Sequence, residues 1–255
     1  MAGFKLQRLG EVMKPMPGDP LEAEGVLNPA AVLGPDGELY LFPRIVGREN
    51  YSRIGIARVR FDQRGDPCGV ERLGIALEPE AEYEKRPDGG GVCEDPRVTF
   101  VEPLGCYVMV YTAFTANGPR IALAVSDDLF EWERLGLATF WPFDGIEFEG
   151  VDNKDACVFP VAIPNPSGRP ELAILHRPIF PGTDPEETAS HPPSREVDLD
   201  RESIWISYSP MTLEGDGAHR LGEFTSHHRL AAPVAPWERL KIGAARRQSS
   251  PGTDG

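Results

Sequence analysis

Three segments of the chain look like copies of one unit, and each opens with polar residues at the start of an apolar strand. They read Asn28-Pro29-Ala30-Ala31-Val32, Glu94-Asp95-Pro96-Arg97-Val98 and Asn153-Lys154-Asp155-Ala156-Cys157-Val158. A turn and a second apolar strand with a polar end follow each time: Leu41-Phe42-Pro43-Arg44, Val110-Tyr111-Thr112 and Ile174-Leu175-His176-Arg177. A third strand follows over 54–59, 121–126 and 204–209. Asn28 and Asp95 lie 67 residues apart, and Asp95 and Asp155 lie 60 apart. Repetition on this scale points to radial or solenoid architecture, and a propeller blade takes about 40–50 residues, so these blades carry generous loops. An irregular β-sandwich is the alternative. The joint recurrence of polar opening, turn and two further strands favours an all-β propeller, which would bring the openings to one central polar site.

Composition narrows the partners. Lys plus Arg total 26 against 40 Asp plus Glu, a formal net charge of -14 over 255 residues. So acidic a chain argues against nucleic acid or an anionic membrane as partner, and an anionic ligand needs a local cluster of cations. The 27 Gly and 26 Pro suit many short strands joined by turns. Turn signals stand at Gly34-Pro35-Asp36-Gly37, Glu102-Pro103-Leu104-Gly105 and Asn165-Pro166-Ser167-Gly168. Cys68, Cys93, Cys106 and Cys157 are scattered without a CxxC pair, which reads as free thiols in a reducing compartment and not as a zinc site. With no signal peptide and no apolar stretch of about 18 residues, the expectation is a cytoplasmic protein. The acidic, Pro-rich stretch 184–202 reads as a long exposed loop, and 245–255 as a disordered tail.

Asp95 is the sharpest candidate for chemistry. Pro96 biases it toward extended backbone, Gly89-Gly90-Gly91 ahead of it permits close approach of a ligand, and its carboxylic acid could protonate a leaving oxygen. A turn-capping Asp fits the same residues. Arg44, Lys154, His176 and Arg177 come to equivalent blade ends and suggest an anion site, with phosphate the natural guest. Pairing of each with a nearby carboxylate is the other reading. Tyr51, Tyr111, Phe114 and Trp141 could stack on sugar faces or serve as core. Asp127-Asp128-Leu129-Phe130-Glu131-Trp132 reads as a structural turn ending in a core Trp. His227-His228 lacks companion ligands for a metal, and no nucleophile elbow, Walker loop or dinucleotide fingerprint is present.

Together with Trp237-Glu238-Arg239-Leu240-Lys241-Ile242-Gly243-Ala244, the motifs at Asn28, Glu94-Asp95-Pro96-Arg97, Asn153-Lys154-Asp155-Ala156 and His176-Arg177-Pro178 resemble glycoside hydrolase family 130 over about residues 25–244. The resemblance implies a five-bladed β-propeller with the active site in its central funnel. It implies inverting phosphorolysis of a β-mannoside to mannose 1-phosphate, with inorganic phosphate as co-substrate and no cofactor or metal. Asp95 would be the general acid, its proton passing through a sugar hydroxyl. Asn28, Arg44 and Asp155 would hold the sugar, with Tyr111 beside it. Lys154, His176 and Arg97 would lie around the phosphate. A β-mannoside hydrolase and a non-catalytic sugar-binding propeller are the alternatives. A hydrolase needs a second carboxylate about 6.5–9.5 Å from the acid, with Glu147, Glu149, Asp152 and Asp155 as candidates. Family members continue past the Lys-Ile-Gly-Ala motif into further strands. The expectation is therefore an incomplete propeller of about four blades over 1–244, C-terminally truncated, whose exposed blade edges leave homo-oligomer formation open.

Overall fold

Period-two apolar runs punctuated by Gly and Pro become strands, and the strands close into successive antiparallel sheets. The computed structural model describes residues 7–86, 90–181, 201–210, 221–238 and 241–243. Gly89, most of the loop expected over 184–202 and the tail expected over 245–255 lie outside the described residues.

The first sheet has β1 (Gly25–Leu33), β2 (Leu39–Val46), β3 (Ser52–Phe61) and β4 (Pro67–Leu77) in sequence order. The second repeats that order with β5 (Cys93–Val101), β6 (Cys106–Thr115), β7 (Gly118–Ser126) and β8 (Glu133–Leu137). After β9 (Thr139–Phe140), the third sheet runs from β10 (Asp152–Val158) to β12 (Pro170–Ile179), β13 (Ile204–Ser209) and β15 (Ser226–Ala231), with β11 (Ile163–Pro164) on the flank of β12. β14 (Glu223–Phe224) pairs in parallel with β9 and ties the second sheet's exit to the third. Four-stranded meanders in series are blades of a propeller. The third blade runs from Asp152 to Ala231 and is longer than the spacing of 60–67 residues between the openings.

The expected turns form for the expected reasons. Gly37 takes a positive φ of 81°, and the Asp36 carboxylate accepts from the Glu38 amide and the Tyr40 hydroxyl. The Asn165 side chain accepts from the Ser167 and Arg169 amides ahead of Gly168. In the 127–132 turn, Asp128 caps the amides of Phe130 and Glu131, and the Trp132 indole donates to the Leu129 carbonyl. The Trp132 ring packs edge-on against Phe42, so this motif is structural.

Side-chain alternation along β6 builds the core. Tyr107, Met109, Tyr111 and Ala113 pack toward the first blade with Phe42, Ile54 and Leu129. Val108 and Val110 pack toward the third with Leu172, Ile174, Trp205 and Phe224. β6 is therefore buried on both faces, as a strand in a blade between two neighbours must be. The opening strands stand side by side, with β5 between β1 and β10.

Candidate active site

Each opening strand carries the same defect. Leu27 pairs with Arg44 and Ala30 with Phe42, so three steps on β1 meet two on β2. The pattern recurs from Glu94–Thr112 to Arg97–Val110 and from Lys154–Arg177 to Cys157–Leu175. One extra residue on one strand is a β-bulge, a device that re-aims side chains. Within the three bulges Asn28, Asp95 and Asp155 adopt positive φ values of 45°, 50° and 57°. Among residues with a side chain, Asn and Asp enter that left-handed region most readily. The chemistry of the openings and their backbone shape thus have one cause.

The bulges of neighbouring blades meet. Asn28 donates its side-chain amide to Asp95 Oδ1 at 2.8 Å. Arg44 reaches the same oxygen through Nη1 at 3.4 Å and the Glu94 carboxylate through Nη2 at 2.5 Å. Its Nε donates to the Ser52 hydroxyl and its Nη2 also to the Asn50 side-chain carbonyl, so the guanidinium is held on several sides. Burial pushes the Glu94 carboxyl above the ordinary carboxylate range; the charge of Asp95 adds to this, while Arg44, Lys154 and Arg86 oppose it.

Lys154 makes no hydrogen bond or ion pair among the described residues, although its charge acts on Glu94. Arg97 donates to its neighbour's carbonyl at Pro96, and its charge reaches the Cys157 thiol on the next blade. Arg177 donates through Nε and Nη2 to Asp155 Oδ2, at 2.9 and 2.6 Å, and is also paired with Glu202. The Glu202 carbonyl accepts from the Ile242 amide, which draws the Lys241-Ile242-Gly243 motif to this edge of the site.

Two expected site residues are placed elsewhere. Tyr111 is only 2% exposed, and its hydroxyl donates to Glu84 Oε1 at 2.5 Å inside the core. Buried to that degree within the core cluster, it has no ring face left for a sugar. His176 is 1% exposed and stacks on Phe140 with ring centroids 4.5 Å apart. Its Nδ1 meets the Asn153 amide at 2.9 Å and its Nε2 the Ser207 hydroxyl at 2.6 Å, so no ring nitrogen remains for a phosphate. Successive strand residues point to opposite faces; with Arg177 turned toward Asp155, His176 must turn away. Of the other aromatics, Trp141 is half exposed and Phe114 partly so, while the Tyr51 ring lies beneath the Arg53 guanidinium.

His176 belongs to a directional chain. The Trp141 carbonyl can only accept, so His227 Nε2 donates to it at 2.9 Å. His227 Nδ1 then accepts from Ser207, Ser207 accepts from His176 Nε2, and His176 Nδ1 accepts from the Asn153 amide. Both rings are neutral in this arrangement. Burial lowers the His227 pKa to about 4 and that of His176 well below 6.5. In the unfolded chain both return toward about 6.5. Unfolded protein therefore binds more protons below that value, and stability falls as pH drops from about 6.5 toward 4. Melting temperatures should decline across that window, and a His227→Gln variant should show a visibly shallower decline; equal slopes would remove this account.

A polar site assembled from blade openings defines the class of this protein as a β-propeller with a carboxylate–guanidinium cluster where neighbouring openings meet. The chain belongs to glycoside hydrolase family 130: the family's sequence model, described as beta-1,4-mannooligosaccharide phosphorylase, matches residues 8–179. It is 31% identical over 249 residues to a 1,2-beta-oligomannan phosphorylase of Thermoanaerobacter sp. (strain X514), covering 94% of this chain and 66% of that one. Among solved structures it resembles the beta-1,2-mannobiose phosphorylase of Listeria innocua, determined in complex with beta-1,2-mannobiose. That likeness has a TM-score of 0.58 at 18% identity and covers 91% of this chain and 67% of the other. The fold is of the five-bladed propeller type, of which the described residues form three blades.

Proposed function

We propose that this site performs inverting phosphorolysis of a β-mannoside. The observation that carries the proposal is the Asp95 carboxyl, held at a strained bulge by Asn28 and Arg44 with Lys154 close by on the next blade. Inorganic phosphate attacks the anomeric carbon, the glycosidic carbon–oxygen bond breaks, and the departing oxygen receives the Asp95 proton by way of a sugar hydroxyl. Mannose 1-phosphate and a shortened acceptor leave. Asn28, Arg44 and Asp155 hold the sugar, and Lys154 and Arg97 face the phosphate. An oligosaccharide and phosphate are the partners, and the scheme uses no cofactor.

Phosphate is already anionic at neutral pH, so phosphorolysis needs one acid and no general base. Hydrolysis needs a second carboxylate across the sugar to activate water. The carboxylates expected for that task are engaged or exposed. Asp152 is bound to Arg120 at 2.6 Å and Asp155 to Arg177, while Glu147 and Glu149 are exposed on the loop before β10. Glu94 shares its guanidinium with Asp95 and stands beside it, not opposite.

Lys154→Ala should raise the KM for phosphate by about tenfold or more, the size of a lost hydrogen bond to a charged group, with a smaller effect on the mannoside. Initial rates measured over a range of phosphate concentrations check this. Equal turnover with and without phosphate would reject phosphorolysis in favour of hydrolysis.

A further inference from the structure

The turn between β2 and β3 is left-handed at two successive residues that carry side chains, Glu49 at φ 61° and Asn50 at φ 56°. Such backbone is costly outside glycine, persists only where the surroundings hold it, and gathers at functional sites. Two backbone bonds close the turn, from the Gly47 amide to the Tyr51 carbonyl and from the Tyr51 amide to the Arg48 carbonyl. The amides of Glu49 and Asn50 are taken by Glu24, the residue before β1. Its Oε1 accepts from Glu49 at 2.8 Å and its Oε2 from Asn50 at 3.2 Å. Successive amides turned the same way form a nest for an anion, and the chain fills this one with its own carboxylate. The turn so held presents Asn50 to the site. The Asn50 side-chain carbonyl accepts from Arg44 Nη2 at 2.9 Å, and its backbone carbonyl accepts from the Ser52 hydroxyl that receives Arg44 Nε. Gripped on that side, the guanidinium sends Nη1 to Asp95.

We propose that Glu24 is a positioning residue of the site: by seating the amides of Glu49 and Asn50 it keeps the turn left-handed, and through Asn50 it fixes the direction of the Arg44 guanidinium. The proposal deepens the reading of Arg44 as a sugar ligand and rests on it. β1 and its lead-in then serve the site twice. Asn28 donates to Asp95 directly, and Glu24 supports the guanidinium that reaches the same oxygen. A purely structural Glu24 would only fasten the lead-in to the first blade. That task has other holders: the Glu24 amide donates to the Val46 carbonyl whatever the side chain, and the Glu22 carboxylate is bound by Arg72 and the Met16 amide. Replacing the Glu24 side chain therefore leaves the lead-in attached and removes the support of the turn.

Glu24→Ala should raise the KM for the mannoside about three- to tenfold, the size of a lost hydrogen bond, and leave the KM for phosphate unchanged. Asn50→Gly puts a residue at ease with positive φ in the turn and removes the grip on Arg44, so it should raise the mannoside KM by a similar factor. The double variant should be no worse than Asn50→Gly alone, because Glu24 acts through the side chain already lost. Effects that multiply would overturn the proposal, as would a Glu24→Ala mannoside KM equal to wild type or a phosphate KM that rises with it. 15N NMR of the Arg44 guanidinium, assigned by its loss in Arg44→Lys, reads the same contact without turnover. Rotation of the Nη groups should be slow in wild-type protein and faster in both single variants; equal rotation would also overturn the proposal. Wild-type turnover that is the same with and without phosphate would instead defeat the phosphorolysis reading, and Arg44 rotation would still decide the role of Glu24.

Discussion

Asp95→Asn should lower phosphate-dependent release of mannose 1-phosphate by about 10²–10⁴-fold, the usual contribution of a positioned general acid, while the protein stays folded. The substitution suits this purpose on structural grounds. Asparagine is among the few side chains that tolerate φ near 50°, and Asn28 already occupies the equivalent place in the first blade at φ 45°. Its carbonyl oxygen can still accept from the Asn28 amide, so the bulge keeps its shape and only the transferable proton is lost. Alanine would add the strain of a left-handed residue without side-chain compensation and would confuse stability with chemistry. A coupled assay for mannose 1-phosphate, read beside a thermal melt, separates the two. Retention of activity within a few-fold of wild type would remove Asp95 from the mechanism.

Glu84→Ala should destabilise the fold by about 3–5 kcal/mol, because it breaks a buried ionic network from one side. Glu84 is fully buried. One of its oxygens accepts from Tyr111 at 2.5 Å and Arg134 Nε at 2.9 Å, and the other from the amides of Glu80 and Ala81. Burial by itself would raise its pKa, yet Arg134, Tyr111 and the two amides outweigh that and hold it below 4.5. The stabilisation is thus fully present above the ordinary carboxylate value and is lost as pH falls through the lowered one. The network also fastens the segment leading to Glu94 and Asp95, since the Val92 amide donates to the Glu84 carbonyl. Urea unfolding should show a lower midpoint with an unchanged slope. Tyr111→Phe should cost a smaller part of this and leave mannoside affinity as it was. A Glu84→Ala midpoint equal to wild type would refute the network's role.

Much of the fold was readable because its signals are local. Gly37, Asn165 and Asp128 each shape a turn through their own backbone or side chain, and the polar openings recur at the same point of each blade. The equivalence of Asn28, Asp95 and Asp155 came from that recurrence and is matched by three bulges of one register. Tyr111 was misread because β6 is buried on both sides, so no polar face distinguishes core aromatics from site aromatics. His176 was misread because an ionisable residue beside Arg177 resembled a ligand, although strand alternation sends the two to opposite faces. Glu94, part of the Glu94-Asp95-Pro96-Arg97 motif, has no site role in the sequence reading for the converse reason: alternation would turn it away from Asp95, and only the bulge brings both to Arg44.

The chain's own order of residues determined a repeated β unit and placed Asn or Asp where each opening strand needs a left-handed residue. Those choices depend on a few neighbouring peptide units, so they are written locally. Tertiary packing alone decided that Asn28 and Arg44 of one blade would close on Asp95 of the next, and that Glu94 would join them. Such contacts join residues tens of positions apart, and they exist only where the stacking of blade against blade sets the distance between opening strands.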